Sequence, residues 1–157
     1  MIIDCAVYRD GIRESTKDDK DSLDTALAGL GEDDFLWIGI GNPTTDEMHR
    51  VAESLRLHPL AVEDAIEAHQ RPKVEPYDDF HFIVFKTARY DDATRRIVIG
   101  ELDLFLGVGY VIAVRHGEVG DLSLVRRRLE QRHELLKSGP AAVVWGILDA
   151  VVDDYRP

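Results

Sequence analysis

Two long runs of alternating apolar residues, His81 to Tyr90 and Ile97 to Leu106, flank the turn-forming stretch Asp91-Asp92-Ala93-Thr94. A period of two on either side of such a break commits the middle of the chain to an antiparallel hairpin. Tyr110 to Val114 supplies another strand after a turn at Gly107 to Gly109. Val74 to Tyr77 is short and holds Pro76, which cannot donate to a ladder and so belongs at a sheet edge. Nearer the N-terminus, Ile2 to Tyr8 reads as a strand closed by Asp10-Gly11, and Phe35 to Ile40 as a buried strand closed by Gly41-Asn42-Pro43.

Helical periods surround this β region. Asp21 or Ser22 can cap Leu23 to Leu30, after a charged loop over 14–21. Thr44 or Thr45 can cap a helix that places Met48, Val51, Ala52 and Leu55 on one face. His58-Pro59 breaks that helix and opens another, ended by Gln70-Arg71-Pro72, because proline is tolerated at a first helical position. From Asp121 a helix aligns Leu122, Val125, Leu129 and Leu136 and stops at Gly139; Pro140 opens a last helix to about Tyr155. Strands grouped between helices predict an α/β domain with a mixed sheet covered on both faces. The 157 residues read as a single domain, 1–157.

Charge narrows the partners. Thirty acidic residues against 19 basic ones give a net charge of −11. Phosphate backbones and anionic lipids repel such a chain, which argues against nucleic acid and favours cations. Cys5 is the one cysteine, so no intrachain disulfide can form, as in a reducing compartment. It reads as a small core residue. Met1 leads into a strand with no signal peptide, and the apolar run Ala141 to Trp145 is far too short for a bilayer.

Other motifs carry little chemistry. Gly39-Ile40-Gly41-Asn42-Pro43-Thr44 resembles the start of a dinucleotide fingerprint but lacks the third glycine, and reads as a strand end with a helix cap. The six histidines show no zinc-site spacing, and His58 is placed to cap or pack at a helix start. Arg126, Arg127, Arg128 and Arg132 read as a solvated helix face with ion pairs.

The carboxylates are more pointed. Glu63 and Asp64 are adjacent on the helix that Pro59 begins, with Glu67 one turn beyond Glu63. Asp149 and Asp153 are one turn apart on the last helix. Like charges at that spacing cost a few tenths of a kcal/mol, roughly. The last helix is apolar nearly all round, which predicts that it is covered on most sides and that its charges need partners. A divalent cation with a preference for oxygen ligands would serve; salt bridges to the arginines, or plain exposure, are the alternatives.

Three stretches bear on that choice: His58-Pro59-Leu60-Ala61-Val62-Glu63-Asp64-Ala65 running on to Gln70-Arg71-Pro72-Lys73-Val74-Glu75; Phe82-Ile83-Val84-Phe85-Lys86; and Leu148-Asp149-Ala150-Val151-Val152-Asp153-Asp154-Tyr155. Together with Phe35-Leu36-Trp37-Ile38 and Gly100 to Leu106, they resemble the cytoplasmic N-terminal domain of CorA-type magnesium transport proteins over about Phe35 to Tyr155. The resemblance implies an α/β/α sandwich with a mixed, largely antiparallel central sheet. It implies a homopentamer on the cytoplasmic side of the plasma membrane, joined by long stalk helices to a pore. It also implies regulation: divalent ions bound between neighbouring cytoplasmic domains hold the pore closed, and without them facing carboxylates repel. By position Glu63 and Asp64 match one side of that site, and Asp149 and Asp153 match acidic positions near the same interface. The ion implied is Mg²⁺, with Co²⁺, Ni²⁺ and Zn²⁺ as further candidates, in a regulatory role with no catalytic residues. The stalk, the two membrane spans and the Gly-Met-Asn motif of the family have no counterpart here, so the chain is expected to be a piece of a longer protein and monomeric by itself.

Three other readings compete. One is a zinc-transporting branch of the same superfamily. Another is a metal-dependent hydrolase using Glu63, Asp64, Asp149 and Asp153 in a two-metal site. The last is an assembly domain whose acids only pair with arginines.

Overall fold

The computed structural model describes residues 2–14, 22–117 and 122–155. The expected charged loop, its extension to Asp21, the capping role of Asp21 or the Ser22 side chain, and the helix start at Asp121 lie outside the described residues. The elements run β1 (Ile2–Arg9), β2 (Ile12–Glu14), α1 (Ser22–Ala28), β3 (Phe35–Gly41), α2 (Thr45–Leu55), α3 (Pro59–Glu67), β4 (Lys73–Pro76), β5 (Phe80–Asp91), β6 (Arg96–Gly107), β7 (Tyr110–His116), α4 (Leu122–Glu130), α5 (His133–Leu136) and α6 (Pro140–Asp154). The seven strands form one sheet in the order β2-β1-β3-β7-β6-β5-β4. Only β3 and β7 pair in parallel; every other pair is antiparallel.

The hairpin forms as the alternation requires, with Phe80 opposite Gly107 and Asp91 opposite Arg96. Asp91 ties its turn by accepting from Ala93 N at 3.1 Å and Thr94 Oγ1 at 2.6 Å. Pro76 lies on the edge strand β4. Alternate residues of each strand face opposite layers. One face carries Leu36, Ile38, Ile40, Phe82, Phe105 and Ile112 against Met48 and Val51 of α2 and Ala61, Val62 and Ala65 of α3. The other carries Tyr8, Trp37, Leu102, Leu104 and Val111 against Val125, Leu129 and Leu136 of α4 and α5 and Val143, Ile147 and Val151 of α6. The result is the expected α/β/α sandwich. Cys5 is half-buried at the edge of the first layer.

Four local features differ from expectation. Residues after Gly11 form a short added strand, β2, pairing Ile12 with Arg9. The helix α3 ends at Glu67, before the proline-containing stretch, because Ala68 and His69 adopt left-handed φ of 56° and 60°. The single helix expected after residue 121 breaks at Arg132, with φ −120° and ψ 64°, into α4 and α5. The break lets His133 dock on the first turn, its Nδ1 3.1 Å from Gly11 O. Gly11 has φ +74°, and a Cβ there would lie 2.3 Å from the His133 carbonyl oxygen, so the close approach requires glycine.

The fourth concerns Arg126, which is buried rather than solvated. Its Nη1 lies 3.1 Å from Asp4 Oδ2 and donates to Tyr8 Oη at 3.1 Å. Its guanidinium stacks 4.0 Å from the Trp37 ring centre. A basic residue one position after Val125 on the apolar face can be buried because a carboxylate, a phenol and an indole receive it. Arg127, Arg128 and Arg132 are exposed, as the charge pattern predicts.

Candidate functional site

Local chemistry fixes the start of α3. His58 stands at its N-cap, with Nδ1 accepting from Leu60 N at 3.2 Å, and Pro59 occupies the first turn. The His58 ring also packs 4.8 Å from that of Tyr77. This geometry carries Glu63 and Asp64 to the surface of the α2–α3 layer. Asp64 is half-buried and receives the Lys73 ammonium, Nζ to Oδ2 2.6 Å; the same Nζ reaches Glu75 Oε1 at 3.0 Å. Asp64, foremost, and Glu75 hold the Lys73 pKa above its usual value against the effect of burial. Among the described residues the ionic partner of Asp64 is therefore a lysine rather than an arginine. Glu63 is exposed and borders an open groove of about 600 Å³ between α2 and α3, which His49, Glu53 and Glu67 also line.

Asp149 and Asp153 are exposed on α6. The expectation that this helix is covered on most sides does not hold: α6 buries Val143, Ile147 and Val151 and leaves Trp145, Leu148 and Val152 46%, 38% and 54% exposed. An apolar composition all round therefore reflects two different surfaces, one on the sheet and one open around the aspartates. The Arg132 guanidinium lies 5.6 Å from the Trp145 ring centre on that open side.

Glu63 and Asp64 thus belong to one layer of the sandwich, and Asp149 and Asp153 to the other. The sheet stands between them, so one chain does not bring the four carboxylates together. A two-metal hydrolytic site using all four is not formed within the chain.

A different group does converge. Glu101 and Asp103 on β6 and His116 on β7 place one ligand atom each within 4.8 Å of one another. Glu101 sits directly opposite His116 in the register, and Asp103 is two residues along on the same face. Asp103 is fully buried and Glu101 nearly so. His116 Nε2 lies 3.2 Å from Asp103 Oδ2. Burial pushes the Asp103 carboxyl above the usual carboxylate range, opposed by His116. Asp103 in turn raises the His116 pKa, against burial. Lys86 of β5 closes the group with an ion pair to Glu101 Oε2. Spacing rules for histidine clusters along the chain miss this group, because its signal is a cross-strand register: an acidic i, i+2 pair on one strand opposite a histidine on the next.

Among the described residues, no helix is long and apolar enough to cross a membrane. A family model described as "CorA-like Mg2+ transporter protein" matches residues 32–157. The chain is 34% identical over 122 residues to the cobalt/magnesium transport protein CorA of Thermotoga maritima, covering 76% of this chain and 34% of that protein. It is 31% identical over 123 residues to the putative metal ion transporter YfjQ of Bacillus subtilis, covering 78% of this chain and 37% of that one. The chain therefore spans about a third of the length of these relatives. In fold it is similar to the full-length CmaX protein, with TM-score 0.76 at 16% identity over 97% of this chain and 45% of that one. It is likewise similar to the soluble domain of CorA from Methanocaldococcus jannaschii, with TM-score 0.61 at 15% identity over 98% and 57%. With most of its length matched by the family model and its sandwich shared with these structures, the chain belongs to the CorA-like Mg²⁺ transporter family.

Proposed function

We propose that this domain is the cytoplasmic divalent-cation sensor of a magnesium transport protein that works as a homopentamer. In this reading Glu63 and Asp64 of one copy, and Asp149 and Asp153 at the facing surface of its neighbour, share regulatory Mg²⁺ ions whose presence keeps the pore closed. The domain performs no catalysis. The observation that carries the reading is the division of the carboxylates between opposite layers. Residues that a single chain holds apart across its sheet can share an ion only between two copies. The exposed Trp145, Leu148 and Val152 beside Asp149 and Asp153 add an apolar surface suited to burial against a second copy.

Mg²⁺ keeps much of its water shell, so exposed carboxylates can hold it through water at modest affinity, as a sensor of cellular Mg²⁺ requires. When the ion leaves, Lys73 returns to Asp64 and neutralises it, so the repulsion that loosens the assembly falls on Glu63 and Asp149 rather than on Asp64.

The test is melting temperature and sedimentation of the chain against Mg²⁺ concentration. Binding to the native assembly stabilises it by mass action, about 2.7 kcal/mol at a hundredfold excess over Kd. Mg²⁺ should raise the melting temperature and promote self-association, and Asp64→Ala with Asp149→Ala should abolish both. If that double variant responds as the parent does, the sensing site is misassigned. The ion carried by the whole protein is proposed to be Mg²⁺; uptake measured with Zn²⁺ in place of Mg²⁺ separates this from the zinc-transporting alternative.

A further inference from the structure

We infer that Glu101, Asp103 and His116 form a second metal site, within one chain, for a transition-metal divalent cation of the Zn²⁺, Co²⁺ or Ni²⁺ type. It shares no residue with the proposed Mg²⁺ sensor.

Geometry comes first. The β6–β7 register sets Glu101 against His116, and the strand period turns Asp103 to the same face. That face is the one on which Phe105, Ile112 and Val114 meet the α2–α3 layer. The three ligand atoms lie within 4.8 Å of one another. Tetrahedral Zn²⁺ with bonds near 2.1 Å would bring them to about 3.4 Å apart. Closing that difference requires rotation of the two carboxylates and the imidazole about their side-chain torsions.

Unmet polar atoms come second, and they are independent of the acidic clustering. Glu101 is 4% exposed and Asp103 0%. Glu101 Oε1, both Asp103 oxygens and His116 Nε2 have no hydrogen-bond partner among the described residues. Nε2 and Oδ2 face each other as an ion pair at 3.2 Å. A buried polar atom left unpaired is costly, and native interiors hold few of them. Here Glu101 Oε1 and Asp103 Oδ1, with no partner among the described residues, sit beside the Asp103 Oδ2–His116 Nε2 ion pair, and all four are ligand atoms. A cation held by one atom of each residue would give Glu101 Oε1, one Asp103 oxygen and His116 Nε2 a common partner.

The donor set selects the ion. One imidazole with two carboxylates suits Zn²⁺, Co²⁺ and Ni²⁺, whereas Mg²⁺ prefers oxygen ligands in an octahedron. Three protein ligands leave a fourth position for water. Lys86 is the cation that the ion must outcompete. Its ammonium pairs with Glu101 Oε2, but its side chain is 32% exposed and can withdraw to solvent. Ligation requires neutral imidazole, so any proton on Nε2 leaves to solvent as the ion binds.

The experiment uses the 157-residue chain with Co²⁺ as probe and Zn²⁺ as competitor. One Co²⁺ per chain should give the visible absorption of a low-symmetry four-coordinate centre, and Zn²⁺ should bleach it. His116→Gln and Asp103→Asn, checked for fold by circular dichroism, should each weaken binding about tenfold or more. Asp64→Ala with Asp149→Ala should leave the signal intact, which separates this site from the proposed sensor. Failure of the parent to bind either ion, or unchanged binding in both folded ligand variants, overturns the inference. If the variants do not fold, the His116 ring resonances of the parent decide: a shift on adding one equivalent of Zn²⁺ supports the site, and no shift removes it.

Discussion

Lys73 gives the sharpest handle on the proposed sensor. Its ammonium lies 2.6 Å from Asp64 and 3.0 Å from Glu75, with 14% of its side chain exposed. In the ion-free protein it occupies the carboxylate that Mg²⁺ would use. Exposed ion pairs contribute about 0.2–1 kcal/mol, and a half-buried lysine shared by two carboxylates belongs at the upper end, about 1 kcal/mol. Lys73→Gln should therefore lower the ion-free stability by about that amount, or about 2–4 °C in melting temperature for a domain of this size. In the proposed Mg²⁺-bound state Lys73 is displaced from its carboxylates, so variant and parent should converge there. The thermodynamic cycle then requires tighter binding in the variant, by about fivefold for 1 kcal/mol. A Mg²⁺ titration followed by thermal unfolding reads both quantities. The variant curve should start lower, rise at lower Mg²⁺ and meet the parent at saturation. A lowered starting point with an unchanged Mg²⁺ midpoint would refute the competition, leaving Lys73 as a structural partner only.

Three further predictions concern the scaffold. Arg126→Met should cost about 2 kcal/mol in chemical denaturation, below the full range for buried pairs because Asp4 keeps solvent contact, while Arg127→Ala should stay within about 0.5 kcal/mol; equal effects would mean that burial of Arg126 is irrelevant. Thr44 N donates to Glu47 at 2.9 Å and holds the Glu47 pKa down to about 2 from 4.5. A depressed carboxylate stabilises the native state above its unfolded pKa, so Glu47→Gln should show a deficit under about 1 kcal/mol at pH 7 that vanishes as pH falls from 4.5 toward 2. Gly11→Ala should cost at least about 2 kcal/mol, since positive-φ strain is joined by a backbone clash, whereas Gly109→Ala, with φ +76° and its nearest non-adjacent neighbour at 3.8 Å, should cost about 1 kcal/mol; a similar loss at both positions would remove the His133 contact as the cause.

Much of the sandwich was legible because alternation and helix punctuation are local. The hairpin around Asp91-Asp92-Ala93-Thr94, the edge strand with Pro76, and the helix starts at Thr44 and Pro59 all follow from residues within one turn of each other. What was not legible depended on distant partners. Burial of Arg126 requires Asp4 and Tyr8 of β1 and Trp37 of β3, none of which is near it in sequence. The break at Arg132 accompanies the contact of His133 with Gly11, 122 residues away in sequence. Asp149 and Asp153 stand as charges on an apolar helix, yet the composition of α6 does not say that one of its apolar faces is open. Glu101, Asp103 and His116 were hidden for the same reason: β6 and β7 must pair before their side chains meet.

A common arrangement links the two proposed ion sites. Each has a lysine already resting on a carboxylate, Lys73 on Asp64 and Lys86 on Glu101. In the ion-free state these ammonium groups lower the charge repulsion that clustered carboxylates would otherwise impose. The domain can therefore remain folded when metal is scarce. The same contact weakens binding, because the ion gains only the difference between its own attraction and that of the lysine it displaces. For a sensor this is the useful direction: a site that bound as tightly as its bare carboxylates allow would stay filled throughout the working range and report nothing. The differing exposure of the two lysines, 14% for Lys73 and 32% for Lys86, sets their ease of release apart. Lys86 can leave to water by rotating, whereas Lys73 is held by two carboxylates. Replacing Lys86 with glutamine should accordingly leave the Mg²⁺ response of the melting temperature unchanged while shifting that to Co²⁺, the reverse of the Lys73 variant; a single variant that moved both responses would show that the two lysines act on one site.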